Sequence, residues 1–237
     1  MRRIPFSHML NLRDLGGYPT KDGKLTKEFV FLRGDAPVQL VDIELQFLLH
    51  HKITTIIDLR SPEEVKRNPN ALCVQSGFSC FSIPLLGSAN ISNNANNMGE
   101  FYFQTANEKR SIAKVMHCIA EAENGVLFHC TAGKDRTGII AAFLLSLAGV
   151  KNSDIIADYQ VSYTYIKPLF LTISRDYPDL PAYVTHSDAE YMEYFLSRIE
   201  QEYGDVSQFL INAGVSNFEL NRIQNKFKTK NNHFPGL

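Results

Sequence analysis

Cys130 and Arg136 stand six positions apart, and the residues between them make a polar, glycine-bearing loop. The segment reads Val126-Leu127-Phe128-His129-Cys130-Thr131-Ala132-Gly133-Lys134-Asp135-Arg136-Thr137-Gly138. Val126 to Phe128 is a short apolar run that reads as a buried strand, and Thr137 to Ala148 reads as a helix. A strand, a loop and a helix in that order turn the N–H groups of the loop toward one point at the helix N-terminus, which makes an anion site. A cysteine at the start of such a loop sits where the helix dipole and nearby cations favour thiolate. An arginine at its end offers a planar fork that fits two phosphate oxygens. The expected chemistry is phosphoryl transfer to sulfur. Cys130 would attack phosphorus and form a phosphocysteine, Arg136 would hold the equatorial oxygens, and the N–H groups of Thr131, Ala132, Gly133, Lys134, Asp135 and Arg136 would complete the cradle.

Cysteine and arginine at this spacing are by themselves a weak signal. Four cysteines and eleven arginines in this chain give about 0.2 chance matches. Six residues after Cys73, Cys80 and Cys118 stand Ser79, Leu86 and Asn124, and these three cysteines read as small hydrophobes of the core. The context of Cys130 is what distinguishes it: His129 before it, Gly133 in the loop, and Thr137 and Gly138 just after the arginine. With that context the segment resembles the Cys-x5-Arg protein-tyrosine phosphatase superfamily, and more narrowly the bacterial phosphatases of tyrosine, dual or phosphoinositide specificity. Asn11-Leu12-Arg13-Asp14-Leu15-Gly16-Gly17-Tyr18 and Ile56-Ile57-Asp58-Leu59-Arg60-Ser61 resemble the same group. The resemblance implies a metal-independent phosphomonoesterase acting on phosphotyrosine, with phosphoserine, phosphothreonine and phosphoinositides as wider options. It implies no cofactor, and a phosphoprotein or phosphoinositide as the substrate partner.

Such a reaction needs an acid for the leaving oxygen and then a base for water. Many members of the superfamily place that aspartate beside tryptophan on a separate loop, and this chain has no tryptophan. Asp135 lies inside the loop, where some phosphoinositide phosphatases carry their acid, and is the first candidate. Asp58, near the carboxyl end of its strand, is the second, with an ion pair to Arg60 or Arg136 as the plainer reading. Asp14 is a weaker third. Thr137 can donate its hydroxyl to the Cys130 sulfur or simply open the helix, and His129 is expected to order the loop. A Cys–His ion pair is the lesser reading, because adjacent strand residues face opposite sides. Lys134 is either a second cation for a multiply phosphorylated substrate or a solvated lysine. Arg13, Arg33 and Arg60 are either a basic rim or structural. Tyr159, Tyr163, Tyr165 and Phe170 have helical spacing and read as core.

Around these residues the chain predicts an α/β fold, a central, mostly parallel sheet flanked by helices with a helical C-terminal half, as one domain over residues 1–237. Strands are expected at Phe29–Leu32, Ile53–Leu59 and Phe78–Ile83, and helices at Asp42–His51, from Ser61-Pro62-Glu63-Glu64, and along Phe101–Ala122. Asp154–Tyr165, Pro168–Arg175, Asp188–Tyr203, Val206–Ala213 and Asn217–Phe227 read as further helices. The region up to Lys27 is turn-rich, Ser88–Gly99 is an asparagine-rich loop expected to be mobile, and Lys228–Leu237 reads as a frayed tail.

Composition narrows the class. Hydrophobic residues make up 44% and charged residues 21%, as in ordinary globular proteins. A net charge of −1 gives no bulk attraction to nucleic acid or anionic membrane. Irregularly spaced cysteines point to a reducing compartment, and the N-terminus lacks the apolar core of a signal peptide, so a cytoplasmic setting is expected. No metal site fits the His or Cys spacing, and Asp135 and Phe128 stand where a nucleotide-binding loop needs Ser or Thr and glycine. Two rivals remain. A sulfurtransferase of the rhodanese kind matches Ile57 to Glu64 but has a loop usually one residue shorter. A phospho-ligand binding module usually loses the cysteine or arginine that this chain keeps.

Overall fold

The computed structural model describes residues 2–86, 98–176 and 185–229. Six strands form one sheet: β1 (Arg2–Arg3), β2 (Arg13–Asp14), β3 (Phe31–Gly34), β4 (Ile53–Asp58), β5 (Ser79–Ser82) and β6 (Gly125–His129). Their order across the sheet is β1-β2-β3-β6-β4-β5. The β3–β6, β6–β4 and β4–β5 pairs are parallel, while β1 and β2 join antiparallel at one edge. The expected mostly parallel α/β sheet is therefore present, with two short strands added from the region read as turns.

β6 lies in the middle, and all five of its residues are buried. Strand alternation sends its side chains to two different cores. Val126 and Phe128 join the large apolar cluster on one face, together with Phe31 of β3 and Ile57 of β4. Leu127 joins the smaller cluster on the other face with Leu32, Ile56 and Leu48. A strand covered on both sides needs an unbroken apolar run, which is why Val126-Leu127-Phe128 is so plain in the sequence.

The helices are α1 (Asp42–His50), α2 (Pro62–Arg67), α3 (Met98–Ala106), α4 (Lys109–Glu121), α5 (Asp135–Ala148), α6 (Asn152–Asp176), α7 (Ala189–Tyr203), α8 (Val206–Asn212) and α9 (Asn217–Phe227), with a 3₁₀ turn at Ala71–Val74. α2 starts as the residues predict: Ser61 Oγ accepts from Glu64 N, and Glu64 Oε2 accepts from Ser61 N. α5 ends on Gly149 at φ +82, a left-handed cap that glycine adopts without strain.

Several expectations are corrected. The single helix expected over Phe101–Ala122 is two, broken at Asn107–Glu108, where Asn107 Oδ1 takes the Tyr203 hydroxyl. That bond reaches across to α7, so a tertiary contact marks the break. Asp154–Tyr165 and Pro168–Arg175 are one helix that runs through Pro168. Proline removes one backbone bond there, and buried Ile166 and Phe170 on either side hold the helix in place. Cys73 and Cys80 are neither buried nor free; they form a disulfide, and both are exposed. Cys118 is a half-buried free thiol whose pKa burial pushes up to about 11. The argument for a reducing compartment that leaned on unpaired cysteines therefore falls away. Lys228 and Thr229, expected to fray, add a bridge to Thr26 and a hydrogen bond to the Leu25 carbonyl. The loop read at Ser88–Gly99 lies outside the described residues except for Met98 and Gly99, which begin α3. No helix among the described residues is long and apolar enough to cross a membrane.

Candidate active site

Cys130 follows the last residue of β6, and residues 130–134 carry the chain into α5 at Asp135. The loop keeps its shape through bonds made outside it. The Thr131 carbonyl accepts from Ala36 N at 3.2 Å and the Ala132 carbonyl from Asn11 Nδ2 at 2.9 Å. The Gly133 and Lys134 carbonyls share Arg33 Nη2, at 2.8 and 3.4 Å. A trans peptide sets each carbonyl opposite the next N–H. Holding those four carbonyls therefore turns the N–H groups of Ala132, Gly133, Lys134 and Asp135 to the other side. Gly133 has φ +68, and a Cβ there would stand 2.5 Å from the Gly34 carbonyl carbon. Only glycine fits that backbone and that approach.

Arg136, on the first turn of α5, is almost buried and grips Glu64 of α2 with both terminal nitrogens at 2.7 Å. Glu64 also accepts the Thr131 hydroxyl. Burial opposes ionisation of Glu64, but Arg136 and Thr131 outweigh it and hold its pKa near 2. Arg136 is likewise disfavoured by burial and pulled the other way by Glu64 and by the Cys130 sulfur, so its pKa rises above the ordinary arginine value. Glu64 was read from the sequence only as part of a helix start. Its pairing with an arginine 72 residues away has no signature in the sequence.

Asp58 is committed to Arg60, which donates Nε and Nη2 at 2.9 and 2.7 Å. Burial raises its pKa, and Arg60 and His129 more than offset this, leaving it below the usual carboxylate range. The plainer reading of Asp58, an ion pair with Arg60, is what the structure shows. Asp14 is also engaged: its carboxylate accepts Gly16 N and Phe29 N, both at 2.9 Å. His129 is wholly buried, with Nε2 2.8 Å from Asn70 Nδ2. Asn70 spends its oxygen on Leu72 N, so it must donate to Nε2, and the ring proton lies on Nδ1 facing the Cys130 carbonyl at 3.3 Å. Burial lowers the His129 pKa to about 4 despite Asp58, so the ring is neutral near pH 7. It braces the loop and forms no charged pair with the thiol.

Asp135 has 17% of its side chain exposed; Oδ1 takes the Tyr102 hydroxyl at 2.5 Å and lies 3.3 Å from Lys134 Nζ. Lys134 matches neither of its two readings in full. It is buried, and its ammonium bonds the His186 carbonyl at 2.6 Å. The expected bond from Thr137 to sulfur is not formed: Thr137 Oγ1 is buried and finds no partner among the described residues. Arg13, Arg33 and Arg60 are structural rather than a rim, all three being at most 1% exposed. Arg13 and Arg33 both bind Asp158 of α6, which burial would raise but the two arginines hold at a pKa near 2. Tyr159 and Phe170 are core, as read, while Tyr163 stacks on His186 and Tyr165 lies under Arg3.

The structure thus brings Cys130, Thr131 to Arg136, His129 and Asp58 to one end of the sheet, with Asp58 Oδ2 3.6 Å from His129 Nε2 and paired to Arg60, while Asp14 binds two backbone N–H groups. Glu64, Asn70, Tyr102 and Asp158 complete the surroundings and were missed. Each lies outside the loop it serves, and only the helix-start signal that includes Glu64 was visible.

Several known proteins resemble this chain. Residues 4–229 match the model of the tyrosine phosphatase family. A tyrosine-protein phosphatase of Nostoc commune is 30% identical over 205 residues, which is 78% of this chain and 70% of the relative. The triple specificity protein phosphatase PtpB of Mycobacterium tuberculosis is 32% identical over 140 residues, covering 52% of this chain and 50% of the relative. Among solved structures, P. aeruginosa TpbA aligns over 84% of this chain and 97% of its own, at 14% identity and a TM-score of 0.45. With the family model spanning nearly the whole chain, the protein belongs to the tyrosine phosphatase family and is a phosphate-ester hydrolase.

Proposed function

We propose that residues 1–237 act as one phosphatase domain that dephosphorylates phosphotyrosine by way of a phosphocysteine at Cys130. The observation that carries the reading is the externally held loop between Cys130 and Arg136, whose N–H groups are turned away from four bonded carbonyls. In the first step the Cys130 thiolate attacks phosphorus as the ester P–O bond breaks. The loop N–H groups and Arg136 stabilise the charge on the equatorial oxygens. Asp135 gives its proton to the leaving oxygen. In the second step water attacks the phosphocysteine, Asp135 takes the proton, and phosphate leaves as the Cys130 thiolate returns. Asp135 suits the acid role better than Asp58, because Asp58 is locked against Arg60 while Asp135 keeps an exposed edge.

Substrate breadth follows from the same groups. The Mycobacterium relative is named a triple specificity protein phosphatase, which supports a phosphoprotein as the substrate class, with a phosphoinositide as the wider option. Lys134 faces a backbone carbonyl and Asp135, so its charge is not directed at a second phosphate, which favours phosphotyrosine over a polyphosphoinositide.

The test is to mix the Asp135→Asn variant with an aryl phosphate, quench in acid and map the chain by mass spectrometry. The proposal expects one phosphoryl group on Cys130, accumulated because activation of the water is slowed. Turnover with phosphate found on another residue, or on none at any time, contradicts it.

A further inference from the structure

Asp135 is gripped from two helices outside the loop. Tyr102 of α3 donates to Oδ1 at 2.5 Å, and Tyr159 of α6 lies 2.6 Å behind it, hydroxyl to hydroxyl. Tyr102 has one proton and spends it on Asp135, so its oxygen must accept from Tyr159. The order of donation is Tyr159 to Tyr102 to Asp135, and each bond in such a chain polarises the next. Both phenols are buried, and burial together with the Asp135 charge pushes their pKa values well above the ordinary tyrosine value. They remain donors throughout the working range. Lys134 Nζ approaches the same Oδ1, while Oδ2 makes no hydrogen bond or ion pair among the described residues.

We propose that Tyr102, backed by Tyr159, is a positioning residue for proton transfer at Asp135. It fixes the plane of the carboxyl group and, by occupying Oδ1, leaves Oδ2 as the oxygen that carries the transferable proton. When the leaving oxygen departs it takes the proton from Oδ2, and the water of the second step returns one to the same atom. The Tyr102 bond strengthens as the carboxyl ionises, so it assists the first transfer. α6 then serves both halves of the site from adjacent positions. Asp158 holds Arg33, which holds the loop carbonyls, and Tyr159 backs the tyrosine that holds the acid. This inference rests on Asp135 being the acid and base.

The charged and titratable groups facing Asp135 are Lys134 and Arg136 beside it, Tyr102 from α3 and Tyr159 from α6, with Asp188 and Tyr191 acting on Tyr159 from the start of α7. The test compares wild type, Tyr102→Phe, Tyr159→Phe, Asp135→Asn and the Asp135→Asn/Tyr102→Phe double variant in the full chain. Each is assayed against pH with p-nitrophenyl phosphate, a good leaving group, and phenyl phosphate, a poor one. Vanadate inhibition reports that the phosphate loop is folded in each.

Tyr102→Phe is expected to lower kcat/KM roughly tenfold for phenyl phosphate but less than about threefold for the nitro ester. The alkaline limb should move to higher pH, since the ionised carboxyl loses a donor. Tyr159→Phe should do the same to a smaller degree, and the double variant should be no worse than Asp135→Asn alone. Equal losses on both esters with the limb unmoved, or a loss that multiplies with that of Asp135→Asn, would overturn the role of Tyr102. If Asp135→Asn itself shows no leaving-group dependence, the acid assignment fails and the tyrosine role falls with it. If it does and Tyr102→Phe does not, only the tyrosine role fails.

Discussion

The Arg136 guanidinium meets Glu64 through two parallel bonds, and the same carboxylate takes the Thr131 hydroxyl. A phosphate arriving at Cys130 therefore encounters an arginine whose plane and tilt are already set. Fixing a charged donor before the reaction avoids reorganising it during the reaction. Glu64→Gln keeps the shape of the contact but removes the charge, leaving Arg136 freer to turn. We expect kcat/KM for p-nitrophenyl phosphate to fall roughly tenfold with the far-UV circular dichroism unchanged. A gain in phosphate affinity would instead mean that Glu64 competes with substrate. At this scale the thiol, the arginine, the glycine and Asp135 of the candidate site were legible in the sequence, because they lie within one short loop whose spacing is itself chemical information. It did not reveal Glu64, Tyr102 or Asp158, because a side chain contributed from another helix leaves no spacing to read.

Among the elements, β6, the loop and α5 carry the candidate site, and the loop approaches the end of β3 closely. Gly133 packs against the backbone of Gly34 and Asp35 with no room for a methyl group. Gly133→Ala combines a positive φ with that clash, and should cost about 1–3 kcal/mol in stability. It should also lower turnover more than 100-fold, because the loop N–H groups lose their common focus. Chemical denaturation read beside kinetics checks both numbers; an alanine variant with wild-type turnover would remove the strict requirement for glycine. The strand–loop–helix order was legible because each part has its own local code, namely an apolar run, turn residues and a helical period. The helix break at Asn107 and the continuous α6 through Pro168 were not, because tertiary contacts decided both against local propensity.

At the scale of the molecule, several buried charges among the described residues lie close to the candidate site. Asp158, with its pKa held near 2, binds two buried arginines, and His129 is kept neutral with a pKa near 4. Both values lie below those of the unfolded chain. The stability they confer is complete above pH about 6.5 and is lost as pH falls, through His129 between about 6.5 and 4 and through Asp158 below about 4. Melting temperature should therefore decline on the acid side from near pH 6.5. His129→Gln should flatten the part of that slope above pH 4, and an unchanged slope would place the titrating group elsewhere. The sheet class was readable from β-branched and apolar runs. The Cys73–Cys80 disulfide was not, since pairing depends on a 3₁₀ turn and an edge strand meeting in space.

The role of Cys130 as nucleophile is tested by release of p-nitrophenol from p-nitrophenyl phosphate. The assay is run with reductant and EDTA for wild type beside Cys130→Ser, with phosphate binding followed in parallel. Turnover by the wild type, a loss of at least about 1,000-fold in the serine variant and phosphate binding by both are expected. Turnover in the serine variant near that of the wild type would exclude Cys130 as the nucleophile, and a folded, phosphate-binding wild type that releases no p-nitrophenol would exclude the phosphatase reaction.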